Sequence, residues 1–131
     1  MELFPIDEAD KDLINSAMNV IQKNYRKEKH TVGAAVRSSS GKIYVGVNID
    51  SCGYGPCAEP IALGSAISNG ERSFSVFVAI AANSNTILSP CGNCRQMLLD
   101  YSPDAMVIIE NNNSVVKVKA RDLLPNAYMN F

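Results

Sequence analysis

Between Cys57 and Cys94 the chain carries Pro56-Cys57-Ala58-Glu59-Pro60 at one end and Ser89-Pro90-Cys91-Gly92-Asn93-Cys94-Arg95 at the other. No other feature constrains the fold as much, because cysteines this far apart in sequence must be brought together if they share one metal ion. Cys91 and Cys94 stand at i and i+3, one turn apart on one face if a helix begins there. A tetrahedral zinc held by three protein ligands and one water needs a third soft ligand from another element. Cys57 meets that need, and Glu59, two residues on, can reach the metal's water without ligating the metal.

The pattern has a chemical logic. Zinc lowers the pKa of a bound water to about 7, and a carboxylate within hydrogen-bond reach can take that proton and pass it to a leaving group. Three thiolates would weaken the Lewis acid unless their charge is damped. Ser89-Pro90 reads as an N-cap followed by proline at the first helical position, so Cys91 and Cys94 fall where free backbone N–H groups and the helix dipole favour anionic sulfur. Pro60 suits the first turn of a second helix opening near Cys57, and Arg95 beside a ligand can offset further negative charge. Two other readings stay open. A closed structural site of Cys52, Cys57, Cys91 and Cys94 would also satisfy zinc, at the expense of leaving Glu59 without a purpose. A bare C-x-x-C also suits a redox pair.

The C-A-E and P-C-x-x-C segments resemble the zinc-dependent cytidine deaminase family, whose known signature is H-x-E, or a three-cysteine form of it, followed by P-C-x-x-C. Val32-Gly33-Ala34-Ala35, Gly46-Val47-Asn48-Ile49, Cys94-Arg95-Gln96 and Leu123-Leu124-Pro125 look like family segments in the family order. Gly55-Pro56-Cys57-Ala58-Glu59 and Leu124-Pro125-Asn126-Ala127-Tyr128 are most similar to the blasticidin S deaminase branch. The absence of arginine directly after Glu59, where Pro60 stands, leans the same way. The resemblance implies a three-layer α/β/α fold with a five-stranded mixed sheet and one Zn2+ per subunit on Cys57, Cys91 and Cys94. It implies Glu59 as the catalytic acid–base group, a homotetramer with sites near subunit contacts, and hydrolytic deamination at C4 of a cytosine nucleoside. It also implies a substrate-binding set. Backbone groups around Ala58 would hold the pyrimidine. Asn48 and Asp50 resemble the family's N-x-E sugar ligands, with Asp50 one methylene short. Thr31 matches a small hydroxyl residue near substrate, and Tyr128 a C-terminal tyrosine that contacts it. Each has a plainer reading: strand termination for Asn48, a loop charge for Asp50, a surface strand position for Thr31 and a fraying tail for Tyr128.

The rest of the chain agrees with an enzyme of small molecules. At 131 residues, 47% hydrophobic and 19% charged, it suits a single domain over 1–131 with its own core. A formal charge of −1 gives no broad electrostatic reason to bind nucleic acid. No apolar stretch is long enough to span a membrane. Met1-Glu2-Leu3-Phe4-Pro5 lacks a basic region followed by an apolar run, and four cysteines without a leader read as reduced, so the expected compartment is the cytoplasm.

Apolar residues at Leu13, Ile14, Ala17, Met18 and Ile21 predict an amphipathic helix over 7–25 with Asp7 as cap. The basic cluster Lys23, Arg26, Lys27 and Lys29 reads as a solvated helix end. A hairpin is predicted over 30–37 and 42–48, and the only histidine, His30, reads as structural or pocket-lining. An uncharged, largely buried helix follows Glu59 and stops at Asn69-Gly70. A central strand over 75–82, a helix over 91–101 and a second hairpin around Asn111-Asn112-Asn113 complete the order. Val116 and Val118 alternating with Lys117 and Lys119 suggest an edge strand with one wet face. Helix, strand, strand, helix, strand, helix, strand, strand implies a layered α/β fold with a mixed sheet.

Overall fold

The computed structural model describes residues 1–129. Five strands form one sheet, β1 (Val32–Ser38), β2 (Ile43–Val47), β3 (Phe74–Ala81), β4 (Met106–Asn111) and β5 (Ser114–Lys119), in the order β2-β1-β3-β4-β5. The β3–β4 pair is parallel and the other three are antiparallel, so the sheet is mixed, as expected. Helix α1 (Glu8–Asn24) precedes the sheet, α2 (Ala58–Ser68) joins β2 to β3, and α3 (Gly92–Tyr101) joins β3 to β4.

Strand alternation sorts the core into two halves. Ala34, Val36, Phe77, Ala79, Val107 and Ile109 pack with Ala58, Ala62, Leu63, Ala66 and Leu98 of α2 and α3. The residues between them, Ala35, Val78, Ile80 and Ile108, pack with Leu13 and Ala17 of α1. The result is three layers, α1 on one face and α2 with α3 on the other. Asp7 caps α1 in a reciprocal box: its carboxylate accepts from the Asp10 N–H, and Asp10 accepts from the Asp7 N–H, both at 2.9 Å. Leu13, Ala17 and Ile21, one turn apart, are fully buried. The Asn112-Asn113 turn is also as expected, because both residues take positive φ, +50° and +65°, the geometry a two-residue hairpin requires.

Three expectations are corrected. The first strand begins at Val32 rather than at 30, because His30 is used in a turn with Arg26. The N-cap of α3 is Cys91 itself, in extended conformation at φ −70° and ψ 171°, so Ser89 and Pro90 lie before the helix. Finally, β5 has no wet face at Lys117. That ammonium lies 2.8 Å from Asp10, whose side chain is 4% exposed against 16% for the lysine. The α1 layer covers this end of the sheet, and a capping carboxylate already fixed there gives the lysine a buried partner. Backbone bonds from Phe4 to Lys117 (N–H to O, 2.9 Å) and back (2.8 Å) continue the ladder outside β5.

Two glycines let the layers touch. A Cβ on Gly33 would lie 2.3 Å from the Ala17 carbonyl oxygen, and one on Gly46 would lie 2.5 Å from the Ala62 nitrogen. Gly46 matters for the site, since Ala62 is one turn beyond Glu59 on α2. Gly46→Ala is expected to destabilise the protein by about 1–3 kcal/mol in chemical denaturation and to lower turnover by pushing α2 outward. Unchanged stability would show that α2 yields without strain.

Candidate active site

The N-termini of α2 and α3 converge, and a cysteine caps each: Cys57 for α2 and Cys91 for α3. Neither side chain makes a capping hydrogen bond. Both sulfurs turn instead toward each other, at 3.5 Å, and Cys94, on the first turn of α3, brings its own sulfur 3.5 Å from that of Cys91. The three sulfurs lie within 4.8 Å of one another. Tetrahedral zinc with Zn–S bonds of about 2.3 Å sets its sulfurs about 3.8 Å apart, so the cluster fits the ion. Cys52 stands outside this group and is exposed, which removes the four-cysteine site.

Environment tunes each group differently. Burial, then the Glu59 charge, pushes the Cys94 thiol well up. Burial and contact with Cys91 raise Cys57. For Cys91 burial acts in the same upward direction, yet the value is lowered, because the Cys94 and Asn93 backbone N–H groups and the two neighbouring thiols together favour its thiolate. A bound cation removes the remaining penalty, since a coordinating thiol is deprotonated outright. Glu59, on the first turn of α2, is 6% exposed. Burial raises its carboxyl above the ordinary range, offset only in part by its own N–H and the Cys94 thiol. A buried carboxyl raised above its ordinary range and set beside the thiols is placed to carry a proton between two partners.

These groups sit at one side of a cavity of about 430 Å³, a size typical of small-molecule sites. Thr31, Asn48, Asp50, Ala58, Glu59, Cys57 and Cys91 all line it. Asn48 ends the β1–β2 pair as well as facing the cavity. Its Oδ1 accepts from the Thr31 and Val32 N–H groups at 2.8 and 2.9 Å, which fixes the amide orientation and leaves Nδ2 as the donor. His30 holds the Asn48 carbonyl through Nδ1 at 2.8 Å, so its role is structural. The structure does not bring Tyr128 to the cavity: its side chain is 76% exposed and its carbonyl accepts from Gln96 at 2.8 Å. Arg95 does not reach a thiol. Its Nε donates to the Pro90 carbonyl (2.7 Å) and Nη1 to that of Leu123 (2.8 Å), bracing the approach to Cys91. Glu28, Ile49, Leu88 and Ser89 also line the cavity; the sequence marked none of them as a cavity residue, Ser89 being read only as a helix cap. Leu88 and Ser89 directly precede the P-C-x-x-C segment, a signal that was there to use; Glu28 offered none.

A centre of this kind is that of a metal-dependent hydrolase, in which three thiolates leave a fourth position for water and an adjacent carboxylate moves protons. Residues 7–110 match the family model described as the cytidine and deoxycytidylate deaminase zinc-binding region, and the chain belongs to that family of zinc-dependent hydrolytic enzymes. It is 39% identical to a blasticidin-S deaminase of Bacillus cereus, over 98% of both chains. It is 36% identical to a cytidine deaminase of Sporosarcina psychrophila, over 76% of each. The crystal structure of the cytidine deaminase from Burkholderia pseudomallei superposes with a TM-score of 0.76 at 30% identity, covering 94% of this chain and all of that one. The five-stranded mixed sheet and its layers are thus those of the family.

Proposed function

We propose that the chain hydrolyses the C4 amino group of a cytosine nucleoside, with blasticidin S, cytidine and deoxycytidine as the substrates to compare. The observation that carries this is the trio of converging sulfurs beside buried Glu59 at one side of a nucleoside-sized cavity. Cys57, Cys91 and Cys94 hold zinc, which supplies a water ionised near neutral pH. Glu59 would take one proton from that water and deliver it to the ring nitrogen, making C4 electrophilic so that the water's oxygen adds there; it would then carry that oxygen's second proton to the amino group, which departs as ammonia as the C4 carbonyl forms. Backbone groups at Ala58 hold the pyrimidine. Asn48 offers Nδ2 and Asp50 a carboxylate to the sugar, and Thr31 flanks them.

Tyr128 lies outside its own chain's cavity, so in this reading it serves a neighbouring subunit of a homotetramer; a monomer on gel filtration would remove that role. A cytoplasmic location accords with four cysteines free of disulfides, and no helix among the described residues is long and apolar enough to cross a membrane. Ammonia release from the three nucleosides in parallel tests the proposal. Turnover of blasticidin S alone assigns a resistance role, and turnover of cytidine a salvage-type role. Release from none would end the cytosine reading.

A further inference from the structure

We infer that Arg95 is a positioning residue for the metal site: its guanidinium holds the Pro90 carbonyl and so sets where the Cys91 sulfur lies. The inference rests on the ligand set Cys57, Cys91 and Cys94 given above and adds a group that acts through one of those ligands. It starts from what the two helix caps lack. An N-cap is ordinarily fixed by its own side chain, which accepts from an N–H of the first turn. Cys57 and Cys91 occupy that position in α2 and α3 without making the bond, because their sulfurs face each other at 3.5 Å. The backbone at each cap is therefore held from outside. A proline directly precedes each cysteine, and with no N–H on proline its carbonyl is the polar group that a neighbour can hold.

The two carbonyls find different donors. That of Pro56 accepts from the Ile49 N–H at 3.0 Å, a backbone bond that is indifferent to the Ile49 side chain. For Pro90, no backbone N–H among the described residues makes the equivalent bond; the donor is Arg95 Nε, at 2.7 Å. The main-chain N–H of Arg95 donates to the Cys91 carbonyl at 2.9 Å, so one residue grips the carbonyls on both sides of the Cys91 Cα. Its guanidinium is itself anchored, with Nη1 donating at 2.8 Å to the carbonyl of Leu123, a core residue. The group is planar and rigid, so fixing Nη1 also fixes the direction in which Nε points. Cys91 is the middle sulfur of the trio, 3.5 Å from each of the other two, and any turn of its backbone alters both separations. Arg95 thus serves the thiolates by geometry, through Pro90, rather than by lending them its charge.

The test measures zinc affinity by chelator competition, and the ligand-field absorption of the Co2+-substituted protein, for the wild type, Arg95→Met, Arg95→Lys and Gln96→Ala. Lysine has a methylene where arginine has Nε, so Arg95→Lys keeps the positive charge and loses the bond to Pro90. Both Arg95 variants are expected to bind zinc about 10–100-fold more weakly, the usual range for a group that orients a metal ligand, and to shift the Co2+ bands. Gln96→Ala removes the neighbouring bonds to Asp100 and to the Tyr128 carbonyl without touching Pro90, and should match the wild type in both readings. Wild-type affinity and spectrum in Arg95→Lys would overturn the inference, even where Arg95→Met fails to fold. A loss in Gln96→Ala as large as that in Arg95→Lys would also overturn it, by assigning the effect to general loosening of α3. In either case the ligand set would stand. A wild type that takes up no zinc, or whose Co2+ form lacks thiolate-to-cobalt charge transfer, would overturn the ligand set and the inference together.

Discussion

Replacing Glu59 by glutamine lowers kcat by about 10²–10⁴-fold, the usual contribution of a positioned acid–base group, and leaves zinc content unchanged. The amide keeps the size of the carboxyl but can neither accept the proton from water nor hand one to the ring and then to ammonia. Because Glu59 sits on the first turn of α2, behind the capping Cys57, the substitution disturbs no metal ligand. Its 6% exposure also means that bulk water has little access to substitute for it. The checks are ammonia release and zinc content on the same preparation. Full turnover by the variant would deny Glu59 its role, and zinc loss would show that it supports the metal instead.

Cys94→Ala is expected to abolish stoichiometric zinc and to lower the thermal midpoint by about 10 °C relative to the zinc-loaded wild type. Cys94 is fully buried and contacts Cys91 at 3.5 Å, so the substitution removes one donor and leaves two thiols that no longer define a tetrahedral site. A ligand present at about 100 times its dissociation constant stabilises the native state by about 2.7 kcal/mol, and in a domain of this size each kcal/mol moves the midpoint by a few degrees. Chelation should bring the wild type down to the level of the variant, while the variant should not respond. Cys52→Ala, altering an exposed thiol outside the cluster, should retain one zinc per chain. Zinc retained by Cys94→Ala, or lost from Cys52→Ala, would contradict the ligand set.

What could be read from the sequence was what depends on residue type and local spacing. The C-A-E and P-C-x-x-C segments pick out the three thiols and the carboxylate through their spacing and the family resemblance they carry, and the structure brings those three sulfurs together. Leu13, Ala17 and Ile21 mark the buried face of α1 because helical periodicity is local. What escaped depends on tertiary neighbours. Lys117 looked wet because alternation says which side of a strand a residue faces, not what covers that side, and Asp10 of α1 covers it. Ser89 looked like a cap because serine favours that position, but the chain stays extended through Cys91, whose sulfur is directed at those of Cys57 and Cys94. Glu28 gave no signal because its place at the cavity follows from the turn between Arg26 and His30 and from the bond joining Lys29 to Asp50.

The short ladder from Phe4 to Lys117 bears on colloidal behaviour. Without it, the outer edge of β5 would present free N–H and C=O groups along a valine-bearing strand, a template on which another chain can add. Trimming the first five residues removes little of the core, yet it would unmask that edge. The loss would be felt in shelf life and solubility before it was felt in catalysis, and a fusion partner attached at this end would need a spacer long enough to leave residues 1–6 seated.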